Sequence, residues 1–145
     1  MSHRVAVALE KVRIPVSRDR VAAVARAVLR SEKVRDAMLS ITFVSARAIR
    51  TLNRRHLRRD RPTDVIAFGF RERGNAGAVV GDVYISPDAA RESARANGVT
   101  VREEIVRLVV HGTLHVLGHD HPETDARVSS AMWRRQERLV RRLAR

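Results

Sequence analysis

The stretch HGTLHVLGHDH, residues 111–121, constrains this chain more than any other part of it. His111 and His115 stand four residues apart inside an apolar run, and on an α-helix that spacing places two side chains on one face about 6 Å apart. Gly118 follows three residues later. Glycine adopts the left-handed conformation that ends a helix without a Cβ penalty, so the chain can turn back there and return a third imidazole, that of His121. His119 competes for the third position, but it shares the face of His115 only if the helix continues through Gly118. Three neutral nitrogen donors with a fourth position open suit a catalytic zinc ion, which lowers the pKa of a bound water to ~7. Structural zinc normally takes four protein ligands, often cysteine, and the chain has no cysteine. The expected metal ligands are therefore His111, His115 and His121, holding one Zn2+. Beyond the water on that ion, the spacing identifies no catalytic group. Asp120 stays open to two readings, a residue that orients a ligand or a solvated one.

The pattern H-x-x-x-H-x-x-G-x-x-H has the spacing of the metzincin metalloproteases. In those enzymes a glutamate follows the first histidine and serves as general base. Here that position is Gly112, which has no side chain. Peptide hydrolysis by that route is not expected, and the chain reads as a hydrolase of another kind.

The rest of the chain predicts an α+β domain around this helix. Its 145 residues, 44% of them hydrophobic, match one domain over 1–145 with a single core. Alternating or β-rich apolar runs predict strands at 5–9, 39–44, 65–70 and 79–86. Helical spacing predicts helices at 17–30 behind Ser17 as cap, at 46–56, at 87–97 with Pro87 in the first turn and Gly98 as stop, and at 101–117. In that fourth helix Ile105, Leu108, Val109 and Leu114 are available for the core. A last helix beginning near Pro122 would place Val128, Met132, Leu139, Val140 and Leu143 on one face and most of its arginines elsewhere. The segment RERGNAG between the third and fourth strands suits a hairpin or a looser loop. The N-terminal MSHRVAVALEKVRIP is too charged and its apolar run too short for a signal peptide or membrane anchor, so a cytoplasmic location is expected.

Charge points to the substrate class. The net charge is +13, and Lys11 and Lys33 are the only lysines among 29 basic residues. The planar guanidinium binds phosphate bidentately, so such a surplus suggests nucleic acid, although arginine-favouring codons on solvated faces produce the same count. With one Trp, one Tyr and three Phe, contact would run mostly to the phosphate backbone rather than through stacked bases. Asp64 and Asp82 stand at predicted strand edges, where each either faces a cleft as base or orienter, or caps a turn.

Taken together these residues resemble the YbeY endoribonucleases, bacterial ribosomal RNA maturation factors whose signature is similar to H-G-x-L-H-L-x-G-Y-D-H. The match departs at Val116 and His119 and at no ligand position. A second block of that family, L-N-x-x-Y-R-x-K-D-x-P-T-D-V-L-S-F, resembles LNRRHLRRDRPTDVIAF at 52–68, and a third, G-D-I-x-I-S, resembles GDVYIS at 81–86. The resemblance implies a four-stranded mixed sheet with about five helices and a metzincin-like zinc helix. It implies zinc-dependent cleavage of single-stranded RNA in maturation and quality control of ribosomal RNA, especially at the small-subunit 3′ end, with ribosomal RNA or the ribosome as partner and no membrane. The arginine that follows the aromatic in the second block is replaced here by Leu57, and the aromatic by His56. Arg58 or Arg59 is placed to substitute for it, and Arg55, Arg58, Arg59 and Arg61 are the candidate RNA contacts, the alternative being a solvated loop. The rival reading of the whole chain is a ribosome-associated RNA-binding module with structural zinc and no turnover.

Overall fold

The computed structural model describes residues 2–57, 64–71, 78–119 and 131–144. Among them run, in order, β1 (Ser2–Leu9), α1 (Arg18–Ser31), β2 (Asp36–Phe43), α2 (Ala46–Leu57), β3 (Val65–Arg71), β4 (Val79–Ile85), α3 (Pro87–Asn97), α4 (Val101–Val116) and α5 (Ala131–Leu143). The strands form one mixed sheet in the order β1-β2-β4-β3. β1, β2 and β4 are parallel, and β3 closes the edge antiparallel to β4. The α+β class, the four strands and the five helices are those expected from the sequence. The connection at 72–77, the expected helix start near Pro122, and Val128 lie outside the described residues.

Local signals account for the helix boundaries. Ser17, Ser86 and Thr100 are N-caps whose side-chain oxygens accept from the backbone amides of Arg20, Ala89 and Glu103 at 3.0, 3.2 and 3.0 Å. α3 and α4 both end on a left-handed glycine, Gly98 at φ +66° and Gly118 at φ +97°. At the end of α4 the amide of His119 reaches Leu114 O (3.1 Å) and that of Gly118 reaches His115 O (3.0 Å), which is the paired bonding of a Schellman turn. β1 and β2 begin three residues earlier than their apolar alternation indicates. Parallel pairing continues there from Ser2 opposite Asp36, held by the Ser2 amide on Asp36 Oδ1 at 3.0 Å.

One face of the sheet carries the main core. Val21, Val24 and Val28 of α1, Leu39, Ile41 and Phe43 of β2, Val83 and Ile85 of β4, and Ile105, Leu108, Val109 and Leu114 of α4 are buried in one cluster, joined by Met132, Leu139 and Val140 of α5. On the opposite face α2 sets Ile49, Ala48 and Leu52 against Ile66, Phe68 and Tyr84.

α4 lies so close to the sheet that three glycines are required. Gly69 of β3 pairs with Gly81 of β4, and a Cβ on either would meet Val116 Cγ1, at 2.6 and 2.4 Å. Conversely, a Cβ on Gly112 would meet Val83 Cγ1 at 2.6 Å. Each surface thus presents a valine to the other's glycine. The docking fixes both the height and the rotation of α4, and with them the direction in which its histidines project. Among the described residues no helix is long and apolar enough to cross a membrane.

Candidate metal centre

His111 and His115 occupy successive turns at the C-terminal end of α4, as their spacing predicts. Their ring centroids are 6.1 Å apart and the planes are inclined by 48°. His111 is half-buried and His115 exposed. His121 and Asp120 lie outside the described residues, and among those that are described no three histidine, aspartate or glutamate side chains converge on one point that could hold a metal ion. Two imidazole donors on one helical face suit a zinc ion as part of a ligand set, and the expected third donor, His121, is among the residues not described.

His119, the competitor for that ligand, is directed elsewhere. Its Nε2 is bonded to Glu32 Oε1 at 2.5 Å, and the other oxygen of the Glu32 carboxylate accepts from Arg135 Nη1 at 2.6 Å. The pair ties the turn after α4 to the end of α1 and to α5. Burial would raise the Glu32 carboxyl, but hydrogen bonds from Arg135 and His119 outweigh it and hold it below the ordinary carboxylate range.

His111 also forms part of the wall of a cleft of about 350 Å³ between the start of β3 and helices α3, α4 and α5, lined among others by Asp64, Asn97, Leu108 and Trp133. One end of the cleft is a polar chain. Nδ1 of His111 lies 2.7 Å from Gln136 Oε1, and Gln136 Nε2 donates to Glu137 Oε2 at 3.0 Å. Arg107 then grips Glu137 with two bonds, Nε to Oε2 at 2.9 Å and Nη2 to Oε1 at 3.0 Å. The same guanidinium donates to Glu103 and Glu104 at 3.1 and 3.3 Å. Burial acts to raise the Glu137 carboxyl, yet its bonds from Arg107 and Gln136 bring it below the ordinary range. For Glu104 burial prevails over Arg107, and its carboxyl is raised.

The other candidates separate by position. Asp64 lines the cleft with His111, and its backbone carbonyl accepts from the Ser86 amide at 3.0 Å. Asp82 is exposed on the far face of the sheet, beside Arg4, Met38 and Ser40, away from the histidines. Arg55 is exposed near the end of α2, a helix that covers the face of the sheet opposite α4. Arg58, Arg59 and Arg61 lie outside the described residues. Gly112 is accounted for sterically as well as chemically, because the 2.6 Å approach to Val83 excludes a side chain where the proteases carry their glutamate.

Gln136, Glu137 and Arg107 were not anticipated from the sequence. A signal for Gln136 was present: it sits four after Met132 and three before Leu139, a polar residue in the apolar stripe of α5, and buried amides require partners.

A family model described as Endoribonuclease YbeY matches residues 6–144. An Anaeromyxobacter dehalogenans protein named Endoribonuclease YbeY is 47% identical over 107 residues, which are 73% of this chain and 54% of that relative. The chain therefore matches only about half the length of that protein. An Aquifex aeolicus protein of the same name is 37% identical over 119 residues, 82% of this chain and 78% of the relative. A solution structure of a Thermotoga maritima protein superposes with a TM-score of 0.59 at 26% identity, covering 96% of this chain and 88% of that one.

Proposed function

The chain belongs to the YbeY endoribonuclease family, and from that premise we propose that it is a zinc-dependent hydrolase of single-stranded RNA that acts in maturation of ribosomal RNA at the small-subunit 3′ end, as one catalytic domain working in the cytoplasm. The observation that carries the metal-dependent reading is the pair of imidazoles on successive turns of α4, 6.1 Å apart, one of them in the wall of the cleft.

His111, His115 and His121 are assigned as the ligands. A zinc ion held by three histidines supplies Lewis acidity and an activated water at neutral pH. The chain's own side chains do the rest. Among the described cleft carboxylates Glu104 and Glu137 are engaged by Arg107, so Asp64 is the one assigned to orient the nucleophile or accept its proton. The nucleophile itself is either water or the neighbouring ribose 2′-hydroxyl. Arginines at 55, 58, 59 and 61 are assigned to the phosphate backbone of the RNA, along which they hold the strand by charge.

The test is zinc content together with cleavage of a single-stranded RNA by the wild type and by His115→Ala. One equivalent of zinc, cleavage lost to a chelator and regained with zinc, and neither in the variant are expected. Cleavage that persists after chelation and in His115→Ala would overturn the reading. RNA binding without turnover, in a protein that unfolds on chelation, would replace it with a binding module.

A further inference from the structure

We propose that Gln136 is a positioning residue for His111, acting through its amide to hold the ring with Nδ1 protonated and Nε2 unprotonated, the form in which Nε2 can bind a metal. The inference rests on the reading of His111 as a ligand and goes beyond it by naming what sets the chemical state of that ligand.

The chain of bonds runs inward from Arg107. Its guanidinium has donors and no acceptor, and two of its N–H groups are spent on the two oxygens of Glu137. Glu137, gripped in this way, stays ionised and can only accept. The Gln136 atom 3.0 Å from Glu137 Oε2 must therefore be its NH2 group, because an amide oxygen there would face a carboxylate oxygen with no proton between them. The amide orientation is thereby decided, and Oε1 is the atom turned to His111 Nδ1 at 2.7 Å. An amide oxygen only accepts, so Nδ1 carries the proton. In the neutral ring the lone pair then resides on Nε2.

Gln136 is buried on α5, and Arg107 and His111 lie one turn apart on α4, so the bonds span the α4–α5 interface and orient the ring as well as its tautomer. Metal-bound histidines generally donate their second N–H to such a partner, whose loss costs about 10–100-fold in metal affinity.

Metal-free protein carrying 15N-labelled histidine reports the tautomer directly through long-range 1H–15N correlations at neutral pH. The wild type is expected to show His111 protonated on Nδ1. Gln136→Leu should move it toward the Nε2-protonated form that an unconstrained histidine side chain prefers and weaken Zn2+ binding about 10–100-fold in competition with a chromophoric chelator. Gln136→Glu combined with Glu137→Gln exchanges the two groups, so that a carboxylate at 136 accepts from His111 Nδ1 while the amide at 137 supplies the N–H between them; this double variant should restore both the tautomer and the affinity. An Nδ1-protonated ring with unchanged zinc affinity in Gln136→Leu would overturn the proposal. If the leucine variant does not fold, an Nε2-protonated ring in the Gln136→Glu/Glu137→Gln double variant would do the same. The tautomer is read without metal, so failure of the parent reading is distinct: a wild type that shows the expected tautomer but binds no Zn2+ removes His111 as a ligand.

Discussion

Nδ1 of His111 and Oε1 of Gln136 meet at 2.7 Å across the interface between α4 and α5, from positions 25 residues apart in the chain. The proposed metal site is therefore not a property of the α4 segment alone. Its first histidine is oriented by the last helix in the chain, and that helix is held in turn by the Arg107–Glu137 pair and by Arg135 on Glu32.

His115 is exposed, so its loss should separate metal binding from folding. In the metal-free state His115→Ala is expected to stay within about 0.5 kcal/mol of wild type. Zinc at a hundredfold excess over its dissociation constant should stabilise the wild type by about 2.7 kcal/mol and leave the variant nearly unchanged. Thermal unfolding with and without zinc checks this, and an equal zinc response in both proteins would remove His115 from the site.

Gly112→Ala should destabilise the fold by about 1–3 kcal/mol, because the added methyl would meet Val83 Cγ1 at 2.6 Å. Val83→Ala clears that space, so the double variant should be more stable than the sum of the two single changes, by roughly 0.5–3 kcal/mol of coupling. Urea unfolding of the four proteins completes the cycle. Strict additivity would mean that the helix moves away from the sheet rather than clashing with it.

Glu104 supplies a pH-dependent prediction. Its carboxyl is raised by burial, with Arg107 opposing, so ionisation is disfavoured more in the folded than in the unfolded chain. The stability it contributes is complete below the unfolded pKa and declines as pH rises through the folded one. Glu104→Gln keeps the shape and remains uncharged. It should be more stable than wild type at neutral pH, with the difference shrinking toward zero as pH falls below the ordinary carboxylate range. Denaturant unfolding at a series of pH values decides, and a difference that grows in acid would contradict the assignment.

The arginine block is tested by salt. If Arg55, Arg58, Arg59 and Arg61 bind phosphates, replacing each by alanine should weaken RNA binding about equally for all sequences. The slope of log K against log salt should also fall by about 1 for each phosphate that is no longer neutralised. An unchanged slope in the quadruple variant would make the block a solvated loop and move the RNA path elsewhere, the arginine-rich face of α5 being the next surface to test.

Much of this architecture is legible in the sequence because it is set by neighbours along the chain. Helical spacing put His111 and His115 on one face, Gly98 and Gly118 ended their helices in the left-handed region, and Ser17 and Ser86 capped the helices that follow them. These are interactions within a few residues, and a local pattern states them completely. The chemistry excluded at Gly112 was legible in the same way, since a missing side chain needs no structure to be missed.

Approaches between distant residues were decided only by the tertiary structure. No local rule relates Val116 to Gly69 and Gly81, 47 and 35 positions earlier, yet their approach sets how α4 rests on the sheet. Nor does spacing direct His119 to Glu32, separate Asp64 from Asp82 onto opposite sides of the sheet, or turn Gln136 toward His111. Pattern along a chain determines which groups share a face; which groups meet across faces depends on how those faces pack, and packing is a property of the whole core.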